Sequence, residues 1–149
     1  MSAFSSTGDL SGLAYLEHAN DNLLTIVQIE TQEALDNVDE IAQVEGIDVL
    51  FLGPFDLGNN IGHTVRGAFD QQLEDAILKI KTAAEHAGKK TGIYCPNGDV
   101  ARKYAEIGFH MISVINDMTV LPVGLSQALS IATGAKQEVK GAAYGGGSS

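Results

Sequence analysis

The sequence predicts a parallel α/β fold in which short strands alternate with helices. Four apolar runs, at residues 25–30, 47–53, 90–95 and 110–115, are each followed by a segment with helical spacing of apolar residues. Alternation of this kind implies a parallel sheet with helices outside it. The chain of 149 residues is too short for a (β/α)₈ barrel, which needs roughly 250 residues. Half of such a barrel and a small open doubly wound sheet are the two architectures that remain.

The first two strands are separated by one predicted helix. Thr31 can cap this helix, TQEALDNVDEIAQV, by accepting a hydrogen bond from its first turn, and Gly46 ends it. The second strand is IDVLFLG, at residues 47–53. A loop rich in Gly, Asn and Pro follows from about residue 53 to residue 69.

The clearest helix is QQLEDAILKIKTAAEHAG, at residues 71–88. Its apolar residues lie on one stripe, and Gly88 takes the C′ position at its end. Asp99 can cap the next helix, from residue 100 to 107. Pro122 lies near the start of the last helix, which ends near residues 133–134.

One domain accounts for most of the chain. We place it at residues 13–134, with a short helical stretch at 13–22, between a flexible N-terminus at 1–12 and a flexible Gly- and Ser-rich tail at 135–149. The first twelve residues, MSAFSSTGDLSG, lack the basic start and apolar core of a secretory signal.

Charge and cysteine content exclude several classes of function. The formal net charge of −10 argues against nucleic acid and against an anionic membrane surface, because both attract basic proteins. No apolar run reaches the ~18 residues that a membrane span needs. A single cysteine, Cys95, excludes an internal disulfide framework and a Cys-based zinc cluster. We expect Cys95 to be a small core residue of a cytoplasmic protein.

Two carboxylates follow neighbouring predicted strands. Because side chains alternate along a strand, Ile26, Gln28 and Glu30 share one face, with Ile26 deep and Glu30 at the C-terminal end. Asp56 stands just past the end of the second strand, in FLGPFDLG. Neighbouring strand ends lie ~5 Å apart, and sites in parallel α/β folds form at this edge. We therefore expect Glu30 and Asp56 to meet.

This pattern predicts a metal and substrate site. Two carboxylates without an adjacent His or Cys suit a hard divalent cation, Mg²⁺ or Mn²⁺, which leaves positions for substrate oxygens. Backbone N–H groups of the turn after the second strand can hold a substrate carboxylate. The expected substrate-binding residues are Gln28, Gly53, Pro54, Phe55 and Asp56, and the expected metal ligands are Glu30 and Asp56. The structural alternative is that Glu30 caps the following helix and that Asp56 forms an Asx turn.

The stretch IVQIETQEALDNVDEIAQVEGIDVLFLGPFDLGNNIGH resembles the core of the HpcH/HpaI aldolase/citrate lyase family. The resemblance extends from about Leu13 to about Ala132, and its motifs, QIET and GPxDL followed by Gly-His, are specific in combination. It is strongest to class II pyruvate-dependent aldolases that act on 2-oxo acids such as 4-hydroxy-2-oxoheptanedioate. The resemblance implies half of a TIM-type (β/α)₈ barrel and a divalent metal, often in a hexamer.

The resemblance also assigns roles to single residues. The glutamate of QIE, here Glu30, and the aspartate of GPxDL, here Asp56, are metal ligands in the family. The glutamine, here Gln28, lies close to the bound 2-oxo acid, and the turn amides, here of Phe55 and Asp56, receive its carboxylate. The metal polarises the 2-oxo group and stabilises the enolate that forms on carbon–carbon cleavage. His63 follows these motifs closely, and we expect it to be an ordinary loop residue.

The family's first four strands, with their catalytic histidine and arginine, have no counterpart in residues 1–24. We therefore expect a metal-dependent aldolase domain that cleaves 4-hydroxy-2-oxo acids to pyruvate and an aldehyde, incomplete as a catalyst alone, with unknown catalytic residues. The alternative is a non-catalytic or regulatory half-barrel that associates with a full-length aldolase. A thioester reaction like that of citrate lyase ranks third, because no feature suits coenzyme A. Open sheet edges near 25–30 and 111–115 favour a homo-oligomer or a complementary half-barrel as partner.

Overall fold

The computed structural model describes residue 16 and residues 18–134. The predicted flexible segments 1–12 and 135–149 lie outside the described residues, as does part of the helical stretch predicted at 13–22.

Four strands alternate with helices in the described part of the chain. The strands are β1 (Ile26–Ile29), β2 (Val49–Leu52), β3 (Lys90–Cys95) and β4 (Met111–Val114). The helices are α1 (Gln32–Asp36), α2 (Val38–Gln43), α3 (Pro54–Asn60), α4 (Gln71–His86), α5 (Gly98–Glu106) and α6 (Asp117–Thr133), after a 3₁₀ turn at Asn20–Asn22. All strands are parallel, in the order β1-β2-β3-β4, which confirms the predicted parallel α/β class.

The helix predicted between the first two strands is divided into α1 and α2. Asn37 interrupts it, and its side-chain Nδ2 donates to the carbonyl oxygen of Glu33 at 2.8 Å. Asparagine competes with the helical backbone for such bonds, and this competition explains the break. Thr31 caps α1 as predicted, because its Oγ1 accepts from the backbone N–H of Ala34 at 3.1 Å.

Helix α3 lies where the sequence predicted a loop. The Gly and Asn residues of this segment are typical of a loop, yet the segment forms a short helix. Pro54 occupies the first position of the helix, where its fixed φ angle is already helical. Burial of Leu57 anchors the helix to the core. Gly58 allows the backbone to approach closely, since a Cβ there would lie 2.7 Å from the carbonyl oxygen of His63.

The predicted cap of α5 is wrong by two residues. Asn97, not Asp99, is the N-cap, and its Oδ1 accepts from the backbone N–H of Val100 at 2.9 Å. Asp99 lies instead in the first turn, where a negative charge interacts favourably with the helix dipole. By contrast, α4 ends as predicted, with Gly88 at φ +68° just beyond it.

The helices cover one face of the sheet, and the core lies between them. Strand side chains in this core are at most 1% exposed, namely Ile29, Leu50, Leu52, Ile93 and Cys95. Burial raises the pKa of Cys95 to about 11, so its thiol stays protonated at neutral pH, and the expected core role is confirmed. Facing these strands, α2, α4 and α5 contribute Val38, Ala42, Leu73, Ile77, Ile80 and Tyr104.

The opposite face of the sheet is open. Register places Gln28, Phe51 and Gly92 in one row across β1, β2 and β3 on this inner face. Ile26, which the sequence analysis placed deep, lies on the same face and is 41% exposed, because no layer of the described residues covers it. A sheet with one bare face is the expected shape of half a barrel.

Helix α6 is apolar but not buried. It has no charged residue from Met118 to Thr133, and none of its residues is buried. Met118 is 74% exposed and Ile131 is 70% exposed. Helices in β/α folds pack over the sheet. Helix α6 follows β4, and no other strand of the described residues lies beyond β4 in the sheet. None of the helices in the described ranges has the length and apolarity needed to cross a bilayer.

Candidate active site

A cavity of about 340 Å³ opens at the C-terminal ends of the strands. Its lining comprises Gln28, Phe51, Gly53, Pro54, Phe55, Asp56, Tyr94, Ser113 and Asn116. All five residues expected to bind substrate are among them. Four lining residues were not predicted from the sequence: Phe51, Tyr94, Ser113 and Asn116. Strand alternation nevertheless places the first three on the same face as Gln28.

The polar pair of the first strand is joined by a hydrogen bond. The Nε2 of Gln28 donates to Oε2 of Glu30 at 2.6 Å. Bonds to a charged acceptor are short and strong, so the amide compensates the half-buried carboxylate. The alternative that Glu30 caps α1 is wrong, because Thr31 provides that cap.

Gly53 brings the ends of β1 and β2 together. A Cβ at Gly53 would lie 2.6 Å from Nε2 of Gln28 and 3.5 Å from Oε2 of Glu30. Only glycine leaves room for both side chains at this point. The carboxylate of Glu30, just beyond β1, therefore lies close to the turn that begins α3.

Asp56 contributes a carboxylate to the wall of the cavity. It lies in the first turn of α3 and is exposed. Within the described residues, no hydrogen-bond donor reaches its carboxylate, so the geometry does not support an Asx turn.

Negative charge dominates this end of the cavity. Its lining contains Asp56, with Glu30 beside Gln28, but no Lys, Arg or His of the described residues. An anionic ligand would be repelled by two carboxylates unless a cation lay between them. A bound cation would therefore favour the binding of an anionic ligand here.

The donor set is suitable for Mg²⁺ or Mn²⁺. Carboxylate oxygens are the ligands that these hard cations prefer. In the described part of the chain, no three His, Cys, Asp or Glu side chains gather in one group. An ion held by Glu30 and Asp56 would therefore complete its shell with water or ligand oxygens, as Mg²⁺ commonly does.

Aromatic rings form the apolar wall of the cavity. The rings of Phe55 and Tyr94 meet edge to face, with centroids 6.0 Å apart. Phe51 on β2 is paired with Gly92 on β3, and its ring lies close to that glycine. A Cβ on Gly92 would lie 2.5 Å from Cδ2 of Phe51. Glycine at position 92 therefore sets where the Phe51 ring lies.

Residues of β3 and β4 form the side of the cavity next to β4. Tyr94 and Ser113 are paired in register across β3 and β4. Among the described residues, no partner reaches the buried hydroxyl of Tyr94, and an unpaired buried hydroxyl costs about 1–3 kcal/mol. Beyond Ser113, Ile115 adopts a left-handed backbone (φ +62°) that is rare for a β-branched residue. Asn116 follows it and caps α6 through the N–H of Thr119 at 3.0 Å.

His63 does not line the cavity. Its Nδ1 lies 2.8 Å from Oδ2 of Asp70, in the loop between α3 and α4. Asp70 also caps α4, because its Oδ1 accepts from the N–H of Leu73 at 2.9 Å. The pKa of Asp70 is lowered below its usual value. The hydrogen bond from the N–H of Leu73 is the largest cause, and the hydrogen bond with His63 is the second. His63 is the loop residue that we expected.

The sequence profile of the HpcH/HpaI aldolase/citrate lyase family matches residues 5–121. The chain belongs to this family. It is 38% identical over 131 residues to a 4-hydroxy-2-oxo-heptane-1,7-dioate aldolase of Salmonella arizonae, covering 86% of this chain and 48% of the relative. It is 35% identical over 120 residues to a hydroxypyruvate/pyruvate aldolase of Rhizorhabdus wittichii, covering 80% of this chain and 48% of the relative. The chain thus spans about half the length of these relatives.

Solved structures of the HpcH/HpaI family have the same architecture. A family member from Burkholderia cenocepacia matches with a TM-score of 0.72 and 35% identity, over 80% of this chain and 46% of that one. The four-stranded sheet corresponds to about half of such a TIM-type barrel. The fold also matches a citrate lyase beta subunit from M. tuberculosis complexed with oxaloacetate and magnesium (TM-score 0.57, 20% identity, 72% of this chain and 53% of that one).

Proposed function

We propose that this chain is the metal-binding half of a divalent-metal-dependent aldolase that cleaves 4-hydroxy-2-oxo acids to pyruvate and an aldehyde. The observation that carries the proposal is a cavity lined by Gln28 and Asp56, with Glu30 bonded to Gln28 beside it. Family membership and the names of two relatives support aldolase chemistry. The magnesium and oxaloacetate of the citrate lyase beta subunit support a metal that binds together with an oxo acid.

Glu30 and Asp56 are the proposed metal ligands. A bound Mg²⁺ or Mn²⁺ would supply Lewis-acid polarisation of the substrate's 2-oxo group. The two carboxylates would otherwise repel the anionic substrate, and this repulsion gives the proposal a physical reason for metal dependence. The Gln28 amide on β1 orients Glu30, which lies just beyond the end of that strand.

Substrate contacts come from the turn after β2 and from the cavity wall. We assign the backbone N–H groups of Phe55 and Asp56 to the substrate carboxylate, because they belong to the first turn of α3. Gly53 and Pro54 shape that turn. The aromatic wall of Phe51 and Phe55 reduces the access of water to the reacting carbons.

A partner completes the site in this proposal. The chain spans about half the length of the aldolases that it matches. We assign the proton-transfer residues to the other half, as the resemblance to the family implies. The bare inner face of the sheet and the exposed α6 are surfaces that an oligomer or a complementary half-barrel would cover.

Metal-induced stabilisation tests the proposed ligands directly. Mn²⁺ or Mg²⁺ should raise the melting temperature of the parent chain, since a ligand of the folded state stabilises it. Glu30→Gln and Asp56→Asn keep the side-chain shapes but remove the charges, and each should abolish most of this rise. Glu45→Gln is the matched control, because Glu45 is exposed in the loop that precedes β2. This loop lies at the N-terminal ends of the strands, opposite the cavity. Equal responses in all four proteins would refute the assignment.

A second candidate function is a non-catalytic partner of a full-length aldolase. The exposed apolar helix α6 and the two open sheet edges favour this function. Release of pyruvate from a 4-hydroxy-2-oxo acid by the purified chain, lost in Glu30→Gln, would identify a catalyst. A chain that binds metal but releases no pyruvate, alone or with its partner half, would identify the non-catalytic alternative.

A further inference from the structure

Asn60 joins the two segments that carry the proposed metal ligands. Its Oδ1 accepts a hydrogen bond from the backbone N–H of Gln32 at 2.7 Å. Gln32 begins α1, two residues after Glu30, whereas Asn60 ends α3, the helix that contains Asp56. The bond therefore runs from the helix of one carboxylate to the chain segment of the other.

Helix geometry places Asn60 on the side of α3 that carries Asp56. The two residues are four positions apart, and side chains at this spacing lie on the same face of a helix. The N–H of Gln32 belongs to the first turn of α1, where backbone donors have no partner within the helix. The side chain of Asn60 thus satisfies a donor that α1 itself leaves open.

The two proposed metal ligands repel each other until a cation lies between them. The bond between Gln28 and Glu30 orients Glu30 relative to β1, and Gly53 lets these side chains pass close to the start of α3. The bond from Gln32 to Asn60 adds a connection at the other end of α3. A site that is held in place before its ligand arrives loses less free energy in being ordered by that ligand.

We propose that Asn60 is a positioning residue that holds the segment after β1 against α3, so that Glu30 and Asp56 bind one divalent cation together. This inference rests on the proposed function. Asn60 does not contact the cation itself. It acts through the backbone of Gln32, which fixes where α1 begins and therefore where the preceding residues lie. Because Asn60 and Gln32 are both exposed, loss of the bond leaves the fold intact but lets the two carboxylates move apart.

Two variants remove the same bond from opposite sides. Asn60→Ala removes the acceptor, and Gln32→Pro removes the donor N–H, since proline is favourable at the first position of a helix. Thr31 already has the extended backbone (φ −126°, ψ 157°) that a residue before proline prefers. Titration calorimetry of the full chain should give each variant a dissociation constant for Mn²⁺ about fivefold higher than that of the parent. The double variant should bind no more weakly than either single variant, because both substitutions remove one shared bond.

Each variant has a matched control that keeps the bond. Gln32→Ala loses the side-chain bond to Asp36 but retains the backbone N–H. Asn59→Ala makes the same change as Asn60→Ala at the neighbouring exposed position of α3. Both controls should bind Mn²⁺ within about twofold of the parent.

Melting temperatures separate positioning from a merely structural role. A structural role lowers the melting temperature equally with and without Mn²⁺, whereas a positioning role also reduces the Mn²⁺-induced rise. Unchanged Mn²⁺ binding in Asn60→Ala or Gln32→Pro, or additive losses in the double variant, would overturn the role of Asn60 alone. A parent chain that binds no Mn²⁺ would overturn the proposed function and this inference together.

Discussion

The Gln28 side chain passes directly over Gly53: a Cβ on Gly53 would lie 2.6 Å from Nε2 of Gln28. Close packing of these two residues brings β1 against the turn that follows β2. It explains why the glycine of GPFDLG belongs to the candidate site, although it has no side chain of its own.

Gly53→Ala should therefore weaken metal binding while the fold is retained. The added methyl group meets the mobile end of a side chain, so Gln28 can move, but its 2.6 Å bond to Glu30 is then lost. We expect a loss of about 1 kcal/mol in the free energy of unfolding and a smaller Mn²⁺-induced rise in melting temperature. Gly58→Ala is the control, because its Cβ meets backbone at His63 and should reduce stability without changing the metal response. An undiminished metal response in Gly53→Ala would contradict this account.

Gly92→Ala should change the shape of the cavity rather than the metal site. Its Cβ would lie 2.5 Å from Cδ2 of Phe51, so the ring must move. Overpacking of this kind costs about 1–3 kcal/mol, and we expect urea unfolding to show it together with weaker pyruvate binding. Phe51→Leu in the same chain should restore stability by making room. If pyruvate binds as tightly to Gly92→Ala as to the parent, Phe51 does not limit the cavity.

Much of the candidate site could be predicted because it depends on local rules. Alternation along β1 places Gln28 and Glu30 on one face, and Asp56 follows the next strand in the chain. Tyr94 and Ser113 depend on the register of β3 and β4 and on which face of the sheet lacks helices. Those facts follow from tertiary packing, which the spacing of apolar residues does not reveal.

The errors in the predicted elements have similar physical causes. Helix α3 was missed because Gly and Asn have weak helix propensity, while the helix depends on Pro54 at its start and on burial of Leu57. Asn97 and Asp99 are both good N-caps, and only the bond from Val100 distinguishes them. Ile26 was expected to be deep because its pattern is that of a buried strand, but its face of the sheet is open.

Protonation of Asp70 should reduce stability in acid. Its pKa is lowered in the folded state by the N–H of Leu73 and by His63, so its contribution is fully present above the ordinary pKa of 3.8. That contribution is lost as the pH falls through the lowered pKa. Asp70→Asn can still cap α4 but has no titrating carboxyl. The difference in melting temperature between parent and Asp70→Asn should shrink from pH 7 to pH 3, and a constant difference would show that the carboxyl charge is not involved.

The exposed apolar surface of α6 should be buried in an assembly. A helix without charge from Met118 to Thr133 is poorly solvated alone, and a covered leucine gains about 1.5–3 kcal/mol. We expect sedimentation to show a species larger than the monomer of 15.7 kDa. Leu125→Glu with Leu129→Glu should shift this species towards the monomer, and, because neither residue is buried, should leave the unfolding of the sheet unchanged. The single substitution Gln127→Glu, which adds charge to the same helix without removing an apolar side chain, is the control. A parent chain that sediments as a monomer at micromolar concentration would show that α6 does not mediate assembly of this chain with itself.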